Sequence, residues 1–211
     1  MWSGGKDSAL ALWRARRQGL DVRWLVTAYD QASARVRFHA TPIAAVARQA
    51  EAVGARLIGV PTVWSALDAS LREAFAALKS DGCAGVVFGD IHLADVRAWY
   101  EYRTVNAGLR HVEPLWGDEP AALLAEFVAI GGRAVVTCVE KSKLDQVWLG
   151  RVIDRDFVRD IAKLPIDPCG ENGEYHSFTF AGPFFAQPLE WRAGDRRDDG
   201  RFVQLDVSPL T

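Results

Sequence analysis

The residues of this chain that could do chemistry begin with Ser3-Gly4-Gly5-Lys6-Asp7-Ser8. The two glycines let the backbone approach a ligand closely and turn successive N–H groups toward one anion. Ala9, Leu10, Leu12, Trp13 and Ala15 form an apolar stripe at helical spacing, and Gly19 supplies the stop. An anion in this loop would therefore sit on the N-terminal dipole of a helix, with Lys6 adding a full positive charge. The spacing is not that of the P-loop of ordinary NTPases, which needs an upstream glycine and a Ser or Thr directly after its lysine. Here Asp7 follows the lysine, and an acid beside a polyphosphate requires a divalent cation between them, so Asp7 predicts Mg2+ ligation. The competing reading is a solvated glycine-rich turn.

A second polar concentration is Asp167-Pro168-Cys169-Gly170-Glu171-Asn172-Gly173-Glu174-Tyr175-His176. Its proline, glycines and acids exclude a regular element, so an ordered loop anchored by a following strand is expected. Glu171 and Glu174 flank Asn172-Gly173, a pair suited to tight turning, so both carboxylates can face one site. A solvated acidic turn is the alternative. Gly89-Asp90 ends a predicted strand, Ala84 to Phe88, and ligands of open α/β sheets bind at the carboxyl ends of strands. Asp90 is thus placed either to meet substrate or metal or to cap the helix that starts near Leu93. Arg97 and Glu101, four apart, share a helix face as an ion pair. His39 has no partner at ligand spacing.

The three cysteines, Cys83, Cys138 and Cys169, are scattered and odd in number, which excludes a disulfide framework and a zinc knuckle. Cys83 and Cys138 adjoin apolar runs and read as packing residues. For Cys169, inside the acidic motif, packing and chemistry both stay open.

The elements that must position these residues alternate between strand and helix. Strands are predicted at Val22 to Tyr29, Leu57 to Val60, Ala84 to Phe88 and Ala134 to Val139, the last as a further parallel strand. Helices follow Thr41-Pro42, with Thr41 as N-cap, then Ser65, Pro120 and Asp154. Arg35-Val36-Arg37-Phe38-His39 alternates like a short half-exposed strand. From Pro165 the texture changes to turns and short strands, with a charged hairpin tip at residues 196–200 and a closing strand Phe202 to Val207. The alternation predicts an α/β fold, a doubly wound parallel sheet with a small β-rich C-terminal appendage. A buried strand should precede the phosphate loop, yet only Met1 and Trp2 do, so a truncated first strand and a start assigned too late are expected.

The chain has 211 residues, 49% hydrophobic and 25% charged, a soluble globular profile large enough for a sizeable core. A net charge of −2 gives no strong nucleic-acid signal. No apolar run reaches membrane-spanning length and no secretory signal is present, so a cytoplasmic protein that makes no membrane contact is expected.

Taken together, SGGKDS resembles the PP-loop of enzymes that cleave ATP to AMP and pyrophosphate. Gly89-Asp90-Ile91, Glu113-Pro114-Leu115-Trp116, Trp148-Leu149-Gly150-Arg151 and the motif from Asp167 to His176 resemble, in this order, the diphthine–ammonia ligase family of PP-loop proteins. The resemblance implies an adenine-nucleotide alpha hydrolase-like fold, with residues 1–140 as the ATP-binding domain and 141–211 as a substrate-binding region. It implies ATP and Mg2+ as cofactors, with Ser3, Gly4, Gly5, Lys6, Asp7, Ser8, Thr27 and Gly89 around the nucleotide and Asp7 on the metal. Lys6, Asp7, Glu171 and Glu174 are the implied catalytic residues, and Asp90, Arg97, Glu171, Asn172 and Glu174 the substrate contacts. In the implied reaction a carboxylate attacks the α-phosphorus of ATP, pyrophosphate leaves, and ammonia displaces AMP to form an amide. The acceptor is diphthine-like or an unknown small molecule; the Ala- and Arg-rich composition points to a GC-rich bacterial genome, where diphthamide is not expected. A PP-loop tRNA-modifying enzyme and a non-catalytic nucleotide sensor are the alternatives, and a homodimer is left open.

Overall fold

Helix ends lie where backbone chemistry requires them. Gly54 takes the left-handed conformation (φ 73°) that closes one helix, Pro120 opens another, and Asp154 caps a third by accepting from Phe157 N at 2.9 Å. Thr41 is not a cap: Pro42 holds that position, and the Thr41 hydroxyl donates to the His39 carbonyl instead. A computed structural model describes residues 1–36, 39 and 41–210. In chain order its elements are α1 (Lys6–Arg17), β1 (Trp24–Asp30), β2 (Arg35–Val36), α2 (Ile43–Val53), β3 (Arg56–Thr62), α3 (Leu67–Ser80), β4 (Gly85–Val87), α4 (Ala94–Asn106), β5 (Arg110–Val112) and α5 (Pro120–Ala129). They continue with β6 (Arg133–Glu140), β7 (Val152–Ile153), α6 (Arg155–Ile161), β8 (Tyr175–Ala181), β9 (Trp191–Asp198) and β10 (Phe202–Pro209). Arg37 and Phe38 of the predicted short strand lie outside the described residues. None of the described helices is long and apolar enough to cross a membrane.

The fold is mixed α/β. β1 pairs in parallel with β3 and β4 with β5, as strand–helix alternation requires, while β2 folds back antiparallel on β1. Met1 and Trp2 run between the two parallel pairs: Trp2 N donates to Val26 O at 2.8 Å, Thr27 Oγ1 to Trp2 O at 2.7 Å, and the Met1 amine to Val87 O.

The expected parallel strand Ala134 to Val139 is a correction. It lies in β6, the centre of a separate sheet in which β7, β8 and β10 all pair with it antiparallel. The misreading has a physical cause: seven of the eight β6 residues are buried. A strand covered on both faces shows a continuous apolar run whichever way its neighbours point.

The two regions meet at the glycine loop. Gln49 of α2, fully buried, receives the Trp2 indole N–H on Oε1 at 2.9 Å and donates through Nε2 to Gly4 O at 2.9 Å and Thr179 O at 2.7 Å. One amide thus ties the strand-like start, the loop and β8 together. Replacement by leucine strands the indole N–H and the Thr179 carbonyl in the interior, and each unpaired buried group costs about 1–3 kcal/mol. Gln49→Leu is expected to lower unfolding free energy by about 2–4 kcal/mol in urea denaturation; a change within about 0.5 kcal/mol would contradict this role.

Candidate functional site

The loop is shaped by close approach. Gly4 has φ 83°, and a Cβ there would stand 2.6 Å from Gln49 Oε1. A Cβ on Gly89 would lie 3.0 Å from the Asp7 carbonyl, so the end of β4 packs directly on the first turn of α1. Gly5 N donates to Ser3 Oγ at 3.3 Å, Ser8 Oγ to Gly5 O at 2.9 Å, and Lys6 N to Ser177 Oγ of β8 at 3.2 Å. Thr179 N adds a second donor to Gly4 O at 2.8 Å. The next two N–H groups, of Asp7 and Ser8, lie in a first turn that offers no intrahelical acceptor. They, the Ser3 and Ser8 hydroxyls and the helix dipole form a donor set that fits an anion.

Lys6 has partners that its sequence position does not suggest. Its ammonium is 3% exposed, 2.8 Å from Asp7 Oδ2, bonded to the Cys169 carbonyl and 5.0 Å from the centre of the Tyr175 ring. Burial alone would pull its pKa down, but the Asp7 carboxylate more than reverses this and keeps Lys6 charged. The side chain therefore fastens the acidic loop to the glycine loop. Cys169 is a packing residue: its buried thiol points at Pro120 O, 3.1 Å away, and burial pushes its pKa far up.

The acidic loop is internally braced. Tyr175 Oη donates to Pro168 O at 2.7 Å, Cys169 N to Asp167 Oδ1 at 2.7 Å, and His92 Nε2 stands 2.6 Å from Asp167 Oδ2. Gly170 (φ 72°) and Gly173 (φ 86°) make its two left-handed turns. The glutamates separate: Glu171 Oε1 reaches across to accept from Ile91 N at 2.9 Å, whereas Glu174, 4% exposed, accepts from Asp167 N at 3.3 Å and Asn172 Nδ2 at 3.5 Å inside its own loop. Glu174 Oε2 is buried with no partner among the described residues. Asn172 is exposed, and its carbonyl receives Lys143 Nζ at 2.6 Å.

At the carboxyl ends of β4 and β5 a second polar group gathers. His111 Nε2 lies 2.8 Å from Glu113 Oε1, and Arg97 Nε lies 2.9 Å from Glu113 Oε2 and 4.4 Å above the Trp116 ring, measured from its guanidinium carbon. Glu113 is thus the near partner of Arg97, while Glu101 stands 3.9 Å off. Asp90 does not cap α4, whose N-cap is Leu93. Burial, with Glu113 nearby, pushes Asp90 up to about 6; burial, with Asp7 and Asp90 adding, pushes Glu171 up to about 7. Thr27 is fully buried and spends its hydroxyl on Trp2. His39 lies behind Gly5 with its ring centre 4.5 Å from that of His176 and tilted by 43° to it, and burial holds it down to about 4.

Lys6, Asp7, Ser8, Gly89, Asp90 and Glu171 are thus brought near one another, while Thr27 and Glu174 are buried and hydrogen-bonded elsewhere. Sequence reasoning missed Gln49, His92 and Ser177, quoted Asp167 and Glu113 only within their motifs, and so gave no individual role to Asp167 or to the pair His111 and Glu113. The last two carry a legible signal: two residues apart at a strand's carboxyl end, they share a face by the rule that pointed to Asp90. Among the described residues no group of three or more His, Cys, Asp or Glu could hold a metal. An ion at Asp7 would need the phosphate oxygens of a ligand to complete its shell.

Glu171 couples stability to pH. Its native value near 7 exceeds the ordinary carboxyl value, so the folded chain holds an extra proton between them. Its contribution is full below about pH 4.5 and lost as pH rises through 7. Discounted for partial solvent access, the loss is roughly 2 kcal/mol. Urea unfolding at pH 5 and pH 8 should show this drop, and Glu171→Gln should remove it; an equal drop in the variant would assign the pH dependence elsewhere.

Residues 1–111 match the family model described as the diphthamide synthase N-terminal domain, and residues 119–205 match the diphthamide synthase C-terminal domain. No curated protein matches the chain. The two matches follow one another in the order that the motifs resemble, cover almost the whole chain and include both the glycine loop and the acidic loop. This chain belongs to the diphthamide synthase family.

Proposed function

We propose that the protein is an ATP-dependent ligase that joins ammonia to a carboxylate-bearing acceptor, diphthine-like or a small molecule, and releases AMP and pyrophosphate. The observation that carries this reading is the bond from Ile91 N to Glu171, which brings the acidic loop onto the segment whose Gly89 packs against Asp7 and Ser8. A helix N-terminus suited to phosphate and carboxyls suited to an amine substrate thereby share one cleft.

In this reading Ser3, Gly4, Gly5 and Ser8 hold phosphate, Gly89 leaves room for it, and Thr27 anchors the entry to the loop. Asp7 holds Mg2+, which when bound offsets the charge that builds on departing pyrophosphate. Lys6 acts as a positioning residue: it keeps Asp7 oriented and draws the acidic loop over the site. Glu171 and Asp90, whose raised values suit proton transfer near neutrality, take the proton that ammonium must lose before nitrogen can attack. Glu174 keeps the loop in shape and orients Asn172 toward the acceptor. Arg97 is placed to grip the acceptor's carboxylate or a phosphate. The use of ATP and ammonia agrees with a cytoplasmic setting. Cys138 and Cys169 are buried thiols with raised pKa values, which weighs against the sulfur relay of a tRNA-thiolating enzyme.

Lys6→Ala removes the buried partner of a half-buried carboxylate and should cost about 1–3 kcal/mol of stability as well as turnover. Thermal unfolding read beside ATP–pyrophosphate exchange, measured with Mg2+ and candidate carboxylates, checks both, and full exchange in a folded variant would sink the assignment.

Glu171→Gln should leave pyrophosphate exchange within about threefold while ammonia-dependent amide formation falls by about 10²–10⁴. Hydroxylamine, largely uncharged at neutral pH, should restore product in that variant. Equal loss with both nucleophiles would remove Glu171 from proton transfer. Absence of exchange with every acceptor would favour the nucleotide-sensor reading.

A further inference from the structure

The proposed chemistry leaves one titratable pair unused. His92 follows Ile91, the residue whose N–H holds Glu171, and its Nε2 lies 2.6 Å from Asp167 Oδ2. The Asp167 side chain is 6% exposed and is fixed at its other oxygen, where Oδ1 accepts from Cys169 N at 2.7 Å. The His92 ring is 38% exposed, and its Nδ1 has no hydrogen-bond partner among the described residues.

A carboxylate facing Nε2 holds the ring N–H there, so the neutral imidazole keeps its basic lone pair on Nδ1, the nitrogen turned away from Asp167. A brace for the acidic loop needs only the Nε2–H. The open Nδ1 is surplus to that role and suits a group that picks up protons and gives them to water. The hydrogen bond to Asp167 raises the His92 pKa above the ordinary imidazole value, against the opposing effect of burial, and the charges of Asp167, Glu171 and Glu174 add to the rise. Glu171, pushed up to about 7 chiefly by burial, also exchanges protons close to neutrality.

We propose that His92, held by Asp167, is the proton relay of the site: it carries to bulk water the protons that Glu171 receives from the attacking nitrogen. The role rests on the ligase reading. An N–H bond of ammonium breaks and its proton goes to the Glu171 carboxylate, while the freed lone pair forms the bond to the acyl-adenylate carbon. The carbon–oxygen bond to AMP then breaks, and AMP leaves with that electron pair. A second proton is lost from nitrogen as the amide forms and takes the same route. Glu171 passes each proton through water to His92 Nδ1, and the imidazolium releases it to solvent, so both groups return to their starting state. Asp167 is a positioning residue that neither gains nor loses a proton.

The test uses the whole chain with Mg2+, ATP, ammonium and whichever of acetate, glutamate and glycine betaine supports the fastest pyrophosphate exchange. His92→Ala and His92→Gln, the second of which keeps a donor toward Asp167, should both lower amide formation relative to pyrophosphate exchange by at least about tenfold. Imidazole added to the buffer should restore most of the loss in both. Amide formation in His92→Gln equal to that of the wild type, or a loss that imidazole leaves unchanged, would overturn the relay while the ligase reading stands. Absence of wild-type amide with all three carboxylates would remove the ligase reading and the relay together. Without any acceptor, Asp167→Asn should lower the His92 pKa and move its ring proton from Nε2 to Nδ1, as read by 15N NMR of the imidazole. An unchanged titration and tautomer would also overturn the relay, by showing that Asp167 does not set the ring.

Discussion

A buried loop has to find partners for every backbone N–H and C=O it carries, and this constraint organises the molecule. Gly4 and Gly5 have no side chains to help. Their polar groups are met by Gln49 from α2, Thr179 from β8 and Ser3 from the loop itself, while Ser177 from β8 takes the next N–H, that of Lys6. The sheet built on β6 is therefore tied to the loop, because its strand β8 completes the hydrogen bonding of the glycine loop. Distortion of either partner would leave buried groups unpaired, and the two regions constrain each other for that reason.

Charge is the second constraint. One buried ammonium, that of Lys6, faces Asp7, with Glu171 and Asp90 close enough to push against one another. Burial is the main cause of the raised values at Glu171 and Asp90, with Asp7 and Asp90 adding at Glu171 and Glu113 adding at Asp90. The same arrangement weakens stability as pH rises and supplies groups able to exchange protons near neutrality. In the proposed reaction, the feature that destabilises the site is also the one that would suit it to an amine.

How much was legible depends on whether the information was local. The glycine loop, the helix after it, the strand leading to Gly89-Asp90 and the charged hairpin tip were readable because turn chemistry and periodicity act over a few residues. The direction of β6 was not, since a strand buried on both faces looks alike in parallel and antiparallel sheets. Gln49 was invisible for a different reason: an amide on a helix reads as surface until its three partners, all distant in sequence, are known.

By itself, then, the sequence determined the family, the α/β character and the two candidate motifs, because those reside in short runs of residue types with particular backbone demands. Only the tertiary structure decided what each motif residue touches. It turned Lys6 inward to Asp7 and the acidic loop, sent Glu171 across to Ile91 while keeping Glu174 at home, and made Cys169 a packing residue. Partners 80 to 171 residues apart in the chain meet only when the two regions close on the glycine loop, and burial then sets the protonation of Glu171.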